Sequence, residues 1–393
     1  MGESSVSDRE QALARYRRGE SPAAICSSLG YTRAWFYKWL ERAERGGATW
    51  SETGSRRPHT SPQRTAAAVE AAVLATRHQL LARDAFAGAQ AIAWELRDQG
   101  LTPPAVRTIG RILARHQAVA RRAGPYVPRG VRYPCVPAAY AGAVHQSDFV
   151  GPYPIRALGR FYSLHSVDLA TGRCAVEPLW RRAAQDTLDA VWASWRRLGV
   201  PAYQQLDNEP VFYGCQLRPR GLGPVLRLCL TYGVEPWFIP TGEPWRNGVV
   251  ERFNGWWQQR GPLQAPVTSP AALRDASLAF EARHNASYRY SKLAGRTPNG
   301  ALAASGQRLR FPPRDTAPRH PLPRPAQGRY HVVRFIRQNG CFDLFGEAFR
   351  LPATAHHAYV RATIDVARER VTFYLDQQVL DDRVYALRTA SSG

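Results

Sequence analysis

Residues 6–45 alternate short apolar clusters with polar turns at the spacing of three brief helices. Asp8 can cap a first helix running to about Arg18. Ser21 before Pro22 reads as a cap followed by proline at the first helical position, and this second helix, Pro22 to Leu29, stops at Gly30. Thr32 caps a third, which runs to about Glu44 and ends at Gly46-Gly47. A short helix, a glycine turn and a helix bearing Arg33, Tyr37, Lys38 and Arg42 make the helix-turn-helix pattern, with Trp35, Phe36 and Trp39 on its core side. We assign residues 1–48 to this unit. Residues 50–62 are rich in Ser, Thr and Pro and read as a linker.

A second helical unit spans 63–118, with helices at Gln63–Ala85, Gly88–Asp98 and Ala105–His116. Arg107, Arg111 and Arg115 recur at four-residue spacing along the last of these. That is either a solvated basic face or, the reading we favour, a second helix-turn-helix of winged-helix-like type touching phosphates. Residues 119–140 hold Arg121, Arg122, Arg129, Arg132 and four prolines, an extended basic connector suited to tracking a nucleic-acid backbone.

From 141 to 305 strands and helices mix. Strands are expected at Val144–Val150, Tyr162–Leu169, Cys174–Leu179, Tyr203–Leu206 and Val234–Ile239. Helices are expected at Gln185–Leu198, Pro224–Tyr232, Trp245–Gln259 and Pro270–Ala286, which gives a mixed sheet flanked by helices. Phe311 to Pro325 is proline-rich and reads as a linker. Residues 326–390 show five strand-like runs, with Asn339-Gly340 as a hairpin signal, and suggest a small β-barrel.

Charge adds the partner. The formal net charge is +22, and all but Lys38 and Lys292 of the 53 basic residues are arginine. Residues 1–140 carry 21 basic against 11 acidic residues, so the excess is spread along the chain and not packed into a tail. Arginine pairs with phosphate through a planar two-donor fork, and with the helical pattern this points to nucleic acid. There is no apolar run long enough to span a bilayer and no apolar leader, so no membrane partner is expected, and we place the protein in the cytoplasm, at the nucleoid. The six cysteines are too scattered for a zinc knuckle.

Three acids stand out by context: Asp148 at the end of the first core strand, Asp207 after the fourth, and Glu251 within a helix. On that helix Asn247, Glu251, Asn254 and Gln258 share one polar face, while Val249, Val250, Phe253, Trp256 and Trp257 are expected to pack inward. Carboxylates are hard ligands suited to magnesium, and two such ions can drive in-line attack on phosphorus. Spacings of 59 and 44 residues do not by themselves separate that role from a turn cap at Asp207 and a surface ion pair at Glu251.

The segment Phe238-Ile-Pro-Thr-Gly-Glu-Pro-Trp-Arg-Asn-Gly-Val-Val-Glu-Arg-Phe-Asn254 resembles the glutamate-bearing helix of the integrase catalytic core shared by bacterial insertion-sequence transposases and retroviral integrases. Asp207-Asn208 resembles the family's second aspartate motif and His145-Gln-Ser-Asp-Phe149 the first; Asn285, Arg289, Leu293 and Gly295-Arg-Thr-Pro298 look like the run that closes the core. The resemblance covers roughly residues 5–300 and implies an RNase H-like fold. It implies Asp148, Asp207 and Glu251 as catalytic metal ligands for two Mg2+, with Mn2+ as substitute.

It also implies a DNA transposase that binds an element's terminal repeats, nicks the ends and joins the 3′ ends to target DNA, acting as at least a homodimer. Nothing in the chain calls for a helper ATPase. A catalytically silent, transposase-derived DNA-binding regulator is the alternative. Two departures bear on it. Glu209 stands where the family has glycine, crowding negative charge beside Asp207, and extra residues lie in Cys215 to Gly223. Arg246 and Arg252 flank the glutamate helix as candidate phosphate contacts. Asp168 is expected in a turn or cap, His145 as a packed or surface histidine unless it orients a water or phosphate, and Trp245 in the core unless it stacks on a base.

Overall fold

The computed structural model describes residues 5–47, 49–53, 65–119, 132–156, 158–214, 219–264 and 267–388. The chain divides into two units, Met1–Ala66 and Ala67–Gly393.

The first unit holds α1 (Val6–Arg17), α2 (Pro22–Leu29) and α3 (Arg33–Glu44). Its helix starts follow local chemistry. Ser5, not Asp8, caps α1: its hydroxyl accepts from the Asp8 amide, and Asp8 accepts in return from the Ser5 amide, a reciprocal capping box. Ser21 caps α2 and Thr32 caps α3, while Gly30 closes α2 at φ 74°, a left-handed conformation that glycine adopts without strain. Ala12, Ile25, Cys26 and Phe36 form the core, and the Arg9 guanidinium lies 4.0 Å from the centre of the buried Trp39 ring.

The second unit opens with α4 (Ala67–Ala82), α5 (Ala89–Asp98) and α6 (Val106–Arg115), packed through Val73, Leu80, Ile92, Leu96, Ile109, Ile112 and Leu113. These helices share one unit with the sheet that follows. Phe86 sits among Trp256, Tyr288 and Tyr290, and Asp84 accepts from Arg260 at 3.0 Å.

That sheet begins with the antiparallel meander β1 (Val144–Ile155), β2 (Gly159–Asp168) and β3 (Cys174–Leu179). After α7 (Ala184–Leu198), β4 (Tyr203–Leu206) pairs parallel to β1. After α8 (Pro210–Tyr213) and α9 (Pro224–Thr231), β5 (Glu235–Phe238) pairs parallel to β4. The strand order to this point is β3-β2-β1-β4-β5. The helices α7 and α9 cover one face around Leu188, Trp192, Trp195 and Leu226. Then α10 (Gly248–Arg260) and α11 (Pro270–Ser287) cover the other around Phe161, Val176, Phe253, Trp257 and Phe280. The short α12 (Pro298–Ser305) is capped by Thr297.

The run that closes the core has structural work. Asn285 accepts from the Cys174 amide and donates to the Cys174 carbonyl, both at 2.9 Å. Arg289 pairs with Asp98 at 2.6 Å. Gly295, at φ 83°, lies so close to the Trp94 ring that an added Cβ would stand 2.7 Å from it.

The C-terminal strands are β6 (Arg329–Phe335), β7 (Cys341–Leu344), β8 (Glu347–Arg350), β9 (Tyr359–Asp365), β10 (Arg370–Leu375) and β11 (Gln378–Val384). They correct three expectations. Among the described residues they do not close into a separate barrel: β6 pairs parallel to β5, and β9, β10 and β11 extend the same sheet to nine strands in open order. The physical reason is shared burial, since Tyr330, Val332, Val360 and Ile364 join the cluster that contains Phe238 and Leu226. Asn339-Gly340 does form a turn, but β6 does not pair with β7; β7 instead makes a tight hairpin with β8, turning at Phe345 and Gly346, both at positive φ. The proline-rich stretch after Leu309 runs along α7: Arg310 accepts from the Val200 amide at 2.7 Å, and Arg314 accepts from the Trp192 indole at 3.1 Å. Among the described residues no helix is long and apolar enough to cross a membrane.

Candidate active site

In the parallel pairing of β1 with β4, Val144 lies opposite Tyr203, His145 opposite Gln204 and Gln146 opposite Gln205. Carried two residues on, the same offset sets Asp148 level with Asp207. Side chains alternate across a strand, so Gln146 and Asp148 share one face with Gln205 and Asp207, and His145 and Ser147 share the other. The first face meets α10. Gln146 accepts from the Val250 amide at 3.2 Å, and Gln205 donates to Asn247 Oδ1 and to the Arg246 carbonyl, both at 2.9 Å. Asn254 donates to Asp148 Oδ2 at 2.7 Å, and Gln258 to the Tyr153 hydroxyl at 2.6 Å. The polar stripe of α10 therefore lies along the polar residues of β1 and β4, with Asn247 and Asn254 both buried. Val250, Phe253 and Trp257 are buried as expected, Trp256 is half-buried, and Val249 is exposed.

Asn254 also reaches His165, which sits opposite Asp148 on β2, with 2.7 Å between Asn254 Oδ1 and His165 Nδ1. An amide oxygen only accepts, so the proton is on Nδ1. Burial pushes His165 down to about 4, which keeps it neutral, and its ring meets Phe253 and Trp257 edge-on. Burial raises Asp148 to about 7, reinforced by Asp207 and, more weakly, by Glu209 and Glu251, with the Asn254 bond opposing. Burial raises Asp207 to about 6, reinforced by Glu209 and opposed by the Glu209 amide and Arg182. Burial also raises Glu251. The crowding expected from Glu209 is thus present, and Arg182 moderates it by pairing with both Glu209 oxygens at 2.8 and 2.6 Å.

A strand order of β3-β2-β1-β4-β5, a meander followed by two parallel strands, with helices on both faces, fixes the architecture. The central sheet has the RNase H-like arrangement. Residues 9–71 match the family model described as Winged helix-turn helix. Among solved structures, the chain is similar to the HTLV-2 integrase catalytic core domain in complex with magnesium, in its dimeric form, at 19% identity and TM-score 0.33, over 42% of this chain and 99% of that one. It is also similar to a simian T-cell lymphotropic virus intasome in complex with the PP2A regulatory subunit B56 gamma, at 15% identity and TM-score 0.34, over 70% of this chain and 84% of that one. These likenesses are distant, and it is the strand order that identifies the fold.

Asp207 acts on Asp148 more strongly than Glu251 does. Among the described residues no group of three His, Cys, Asp or Glu side chains is close enough to hold a metal ion. The aspartate pair does fit a hard divalent cation. Both are oxygen donors, each is half-buried, and Asp207 makes Asp148 harder to ionise, a repulsion that a shared cation would reverse.

The other expected residues divide. Asp168 has its turn role, accepting from the Thr171 hydroxyl at 2.5 Å, and His145 is fully buried on the opposite face of β1. Trp245 is not in the core: it is 53% exposed. Arg246 lies between the Tyr133 and Tyr359 rings and donates to Glu243 at 3.0 Å, so it braces the turn before α10, while Arg252 is exposed. Arg33, Tyr37 and Lys38 are exposed on α3, and Arg42 is half-buried beside Trp39. Arg107 and Arg111 are exposed on α6, whereas Arg115 pairs with Glu70. Arg121 and Arg122 lie outside the described residues. Sequence reasoning missed His165 and Arg182 as neighbours of the acids; no sequence signal marks them, because strand pairing brings one to the site and an ion pair the other.

Proposed function

We propose that this protein is a divalent-metal-dependent DNA transposase: it binds the terminal inverted repeats of a mobile element, nicks the ends and transfers the 3′ hydroxyls into target DNA. The observation that carries the reading is the parallel register of β1 and β4, in which Asp148 and Asp207 each follow by two residues the paired Gln146 and Gln205. Asp148 and Asp207 would hold Mg2+, with Mn2+ able to replace it, and Glu251 from α10 would complete the set; two bound ions would activate the attacking oxygen and stabilise the leaving one. The chain's own part is to aim the carboxylates, whose burial leaves the bound cation to favour their ionised forms. Asn254 fixes one oxygen of Asp148, the Glu209 amide fixes one of Asp207 at 3.1 Å, and His165, neutral, fixes Asn254. Arg33, Tyr37, Lys38 and Arg42 of α3, together with Arg107, Arg111, Arg121, Arg122 and Arg252, supply the grip on double-stranded DNA. Two element ends imply at least a homodimer working on the nucleoid in the cytoplasm.

The regulator reading is favoured by one observation, that Glu251 does not join a three-acid cluster. A strand-transfer assay separates the two. It uses labelled DNA carrying the flanking repeats, a plasmid target and Mg2+ or Mn2+. Joined products that vanish with EDTA and with Glu251→Gln support the transposase. Tight repeat binding without nicks or joints in either metal supports the regulator.

A further inference from the structure

Arg334 is the deepest-set guanidinium near the site. It lies on β6, 8% exposed, and donates to Asn208 Oδ1 and the Val333 carbonyl at 2.9 Å, the Asp343 carbonyl at 2.8 Å and the Ile239 carbonyl at 3.4 Å. Asn208, the residue after Asp207, donates in turn to the Ile239 carbonyl at 2.6 Å. The chain thus closes a small ring of bonds from the end of β5, through Asn208, to a strand more than a hundred residues away. Every acceptor around Arg334 is uncharged, and burial pulls its pKa down to about 10. A cation held this way costs folding free energy that the nearby Asp343 carboxylate offsets only in part, so stability alone does not account for it.

The next strand repeats the connection at the other acid's loop. Tyr359 of β9 donates to Glu243 at 2.7 Å, Glu243 pairs with Arg246, and the Arg246 carbonyl accepts from Gln205 just before α10. The segment after Asp207 is fastened to the β7–β8 hairpin, with Tyr213 stacked on Phe345 at 4.0 Å and Arg220 paired with Glu347.

We infer that the C-terminal strands are part of the active site and that Arg334 is a positioning residue, holding Asn208 so that Asp207 keeps its aim at the position level with Asp148. The inference rests on the metal-dependent reading of the site. Removing the guanidinium frees Asn208 Oδ1 and lets the peptide after Asp207 turn, so the Asp207 carboxylate loses its aim while its identity and the DNA-binding residues are unchanged.

The test uses the full chain and Mn2+ alone, read by electron paramagnetic resonance of the free ion, beside thermal melts and the strand-transfer assay. Arg334→Met is expected to weaken Mn2+ binding roughly tenfold, as loss of a residue supporting a metal ligand commonly does, and to slow strand transfer with repeat affinity unchanged. Arg334→Lys restores part of both. Asn208→Ala reproduces the Mn2+ effect, and adding it to Arg334→Met changes nothing further, because both remove the same link. If Arg334→Met fails to fold, Asn208→Ala carries the test. Folded Arg334→Met or Asn208→Ala protein that binds Mn2+ as the unmodified chain does, while Asp207→Asn does not, overturns the positioning role and leaves the transposase reading standing. Absence of saturable Mn2+ binding in the unmodified chain overturns both.

Discussion

Two helices of the second unit carry polar stripes, and they face opposite ways. On α6, Ile109, Ile112 and Leu113 are buried and Arg107 and Arg111 face solvent. At the start of α10 and within it, Asn247 and Asn254 are buried as deeply as Val250 and Phe253, because the sheet below offers Gln205 to the first and Asp148 to the second. A helix periodicity locates a polar face but not what that face meets. Arginines without acceptors nearby stay in water, where phosphates can reach them. Asparagines opposite strand carboxylates and amides turn inward and lose their solvent for fixed hydrogen bonds.

The contrast gives its largest effect at the acids. Asp207→Asn is expected to reduce strand transfer on the order of 10³-fold or more while repeat affinity stays within about twofold, since groups acting as one catalytic unit fail together. The double variant Arg107→Ala/Arg111→Ala should do the reverse. Repeat binding weakens, and the slope of log affinity against log salt becomes shallower by about 2, one for each lost phosphate contact. If the double variant leaves the salt slope alone, α6 is a solvated face and not a DNA grip.

Asn254→Ala probes the inward stripe. It leaves Asp148 Oδ2 and His165 Nδ1 without their partner in a buried place, and a destabilisation of about 1–3 kcal/mol is expected by urea or thermal melts. Salt dependence of DNA binding should not move. An unchanged melting temperature would mean that water satisfies both groups and that the stripe is not held as tightly as its distances indicate.

Much of this was legible in the sequence, for reasons tied to particular residues. Ser21-Pro22, Thr32 and Gly30 set helix ends by local bonding, so α2 and α3 begin and end where their sequence says. Asp148 and Asp207 were legible as motifs, and each lies two residues beyond a paired residue, Gln146 in β1 and Gln205 in β4. What escaped was long-range. Nothing near Arg334 in sequence marks it as a partner of Asn208, and alternation alone cannot tell a barrel from strands added to an existing sheet edge. That choice was made by the apolar side of β6, which shares a core with Phe238. Phe345-Gly346 made a tight hairpin where Asn339-Gly340 did not, although the asparagine pair is the stronger local signal.

The pH response follows from the raised aspartates. Folded Asp148 holds its proton up to about pH 7, whereas an unfolded aspartate releases it near 4, so over this window the folded state binds more protons. Stability of the metal-free protein therefore falls as pH rises from about 4 to about 7, and Asp148→Asn should flatten that slope. Added Mg2+ should recover stability most at the upper end, where both aspartates are ionised. A metal-free melting temperature that climbs through this window would contradict the burial assigned to the pair.

The smallest effect sharpens the comparison within α6 itself. Arg115 continues the arginine row but pairs with Glu70 of α4, which His116 also contacts at 3.1 Å. Its side chain is 44% exposed, so the pair is partly screened and is worth about 0.2–1 kcal/mol. Arg115→Ala and Glu70→Gln are each expected to lower stability by that much, and the double variant by little more than either alone. Neither should change the salt slope for repeat binding. Should Arg115→Ala flatten the slope as strongly as Arg111→Ala, the guanidinium leaves Glu70 for a phosphate when DNA arrives, and the row acts as one continuous basic face. Unchanged slope with a shared stability loss would divide the row between outward grip at Arg107 and Arg111 and inward bracing at Arg115, the same division that separates α6 from α10.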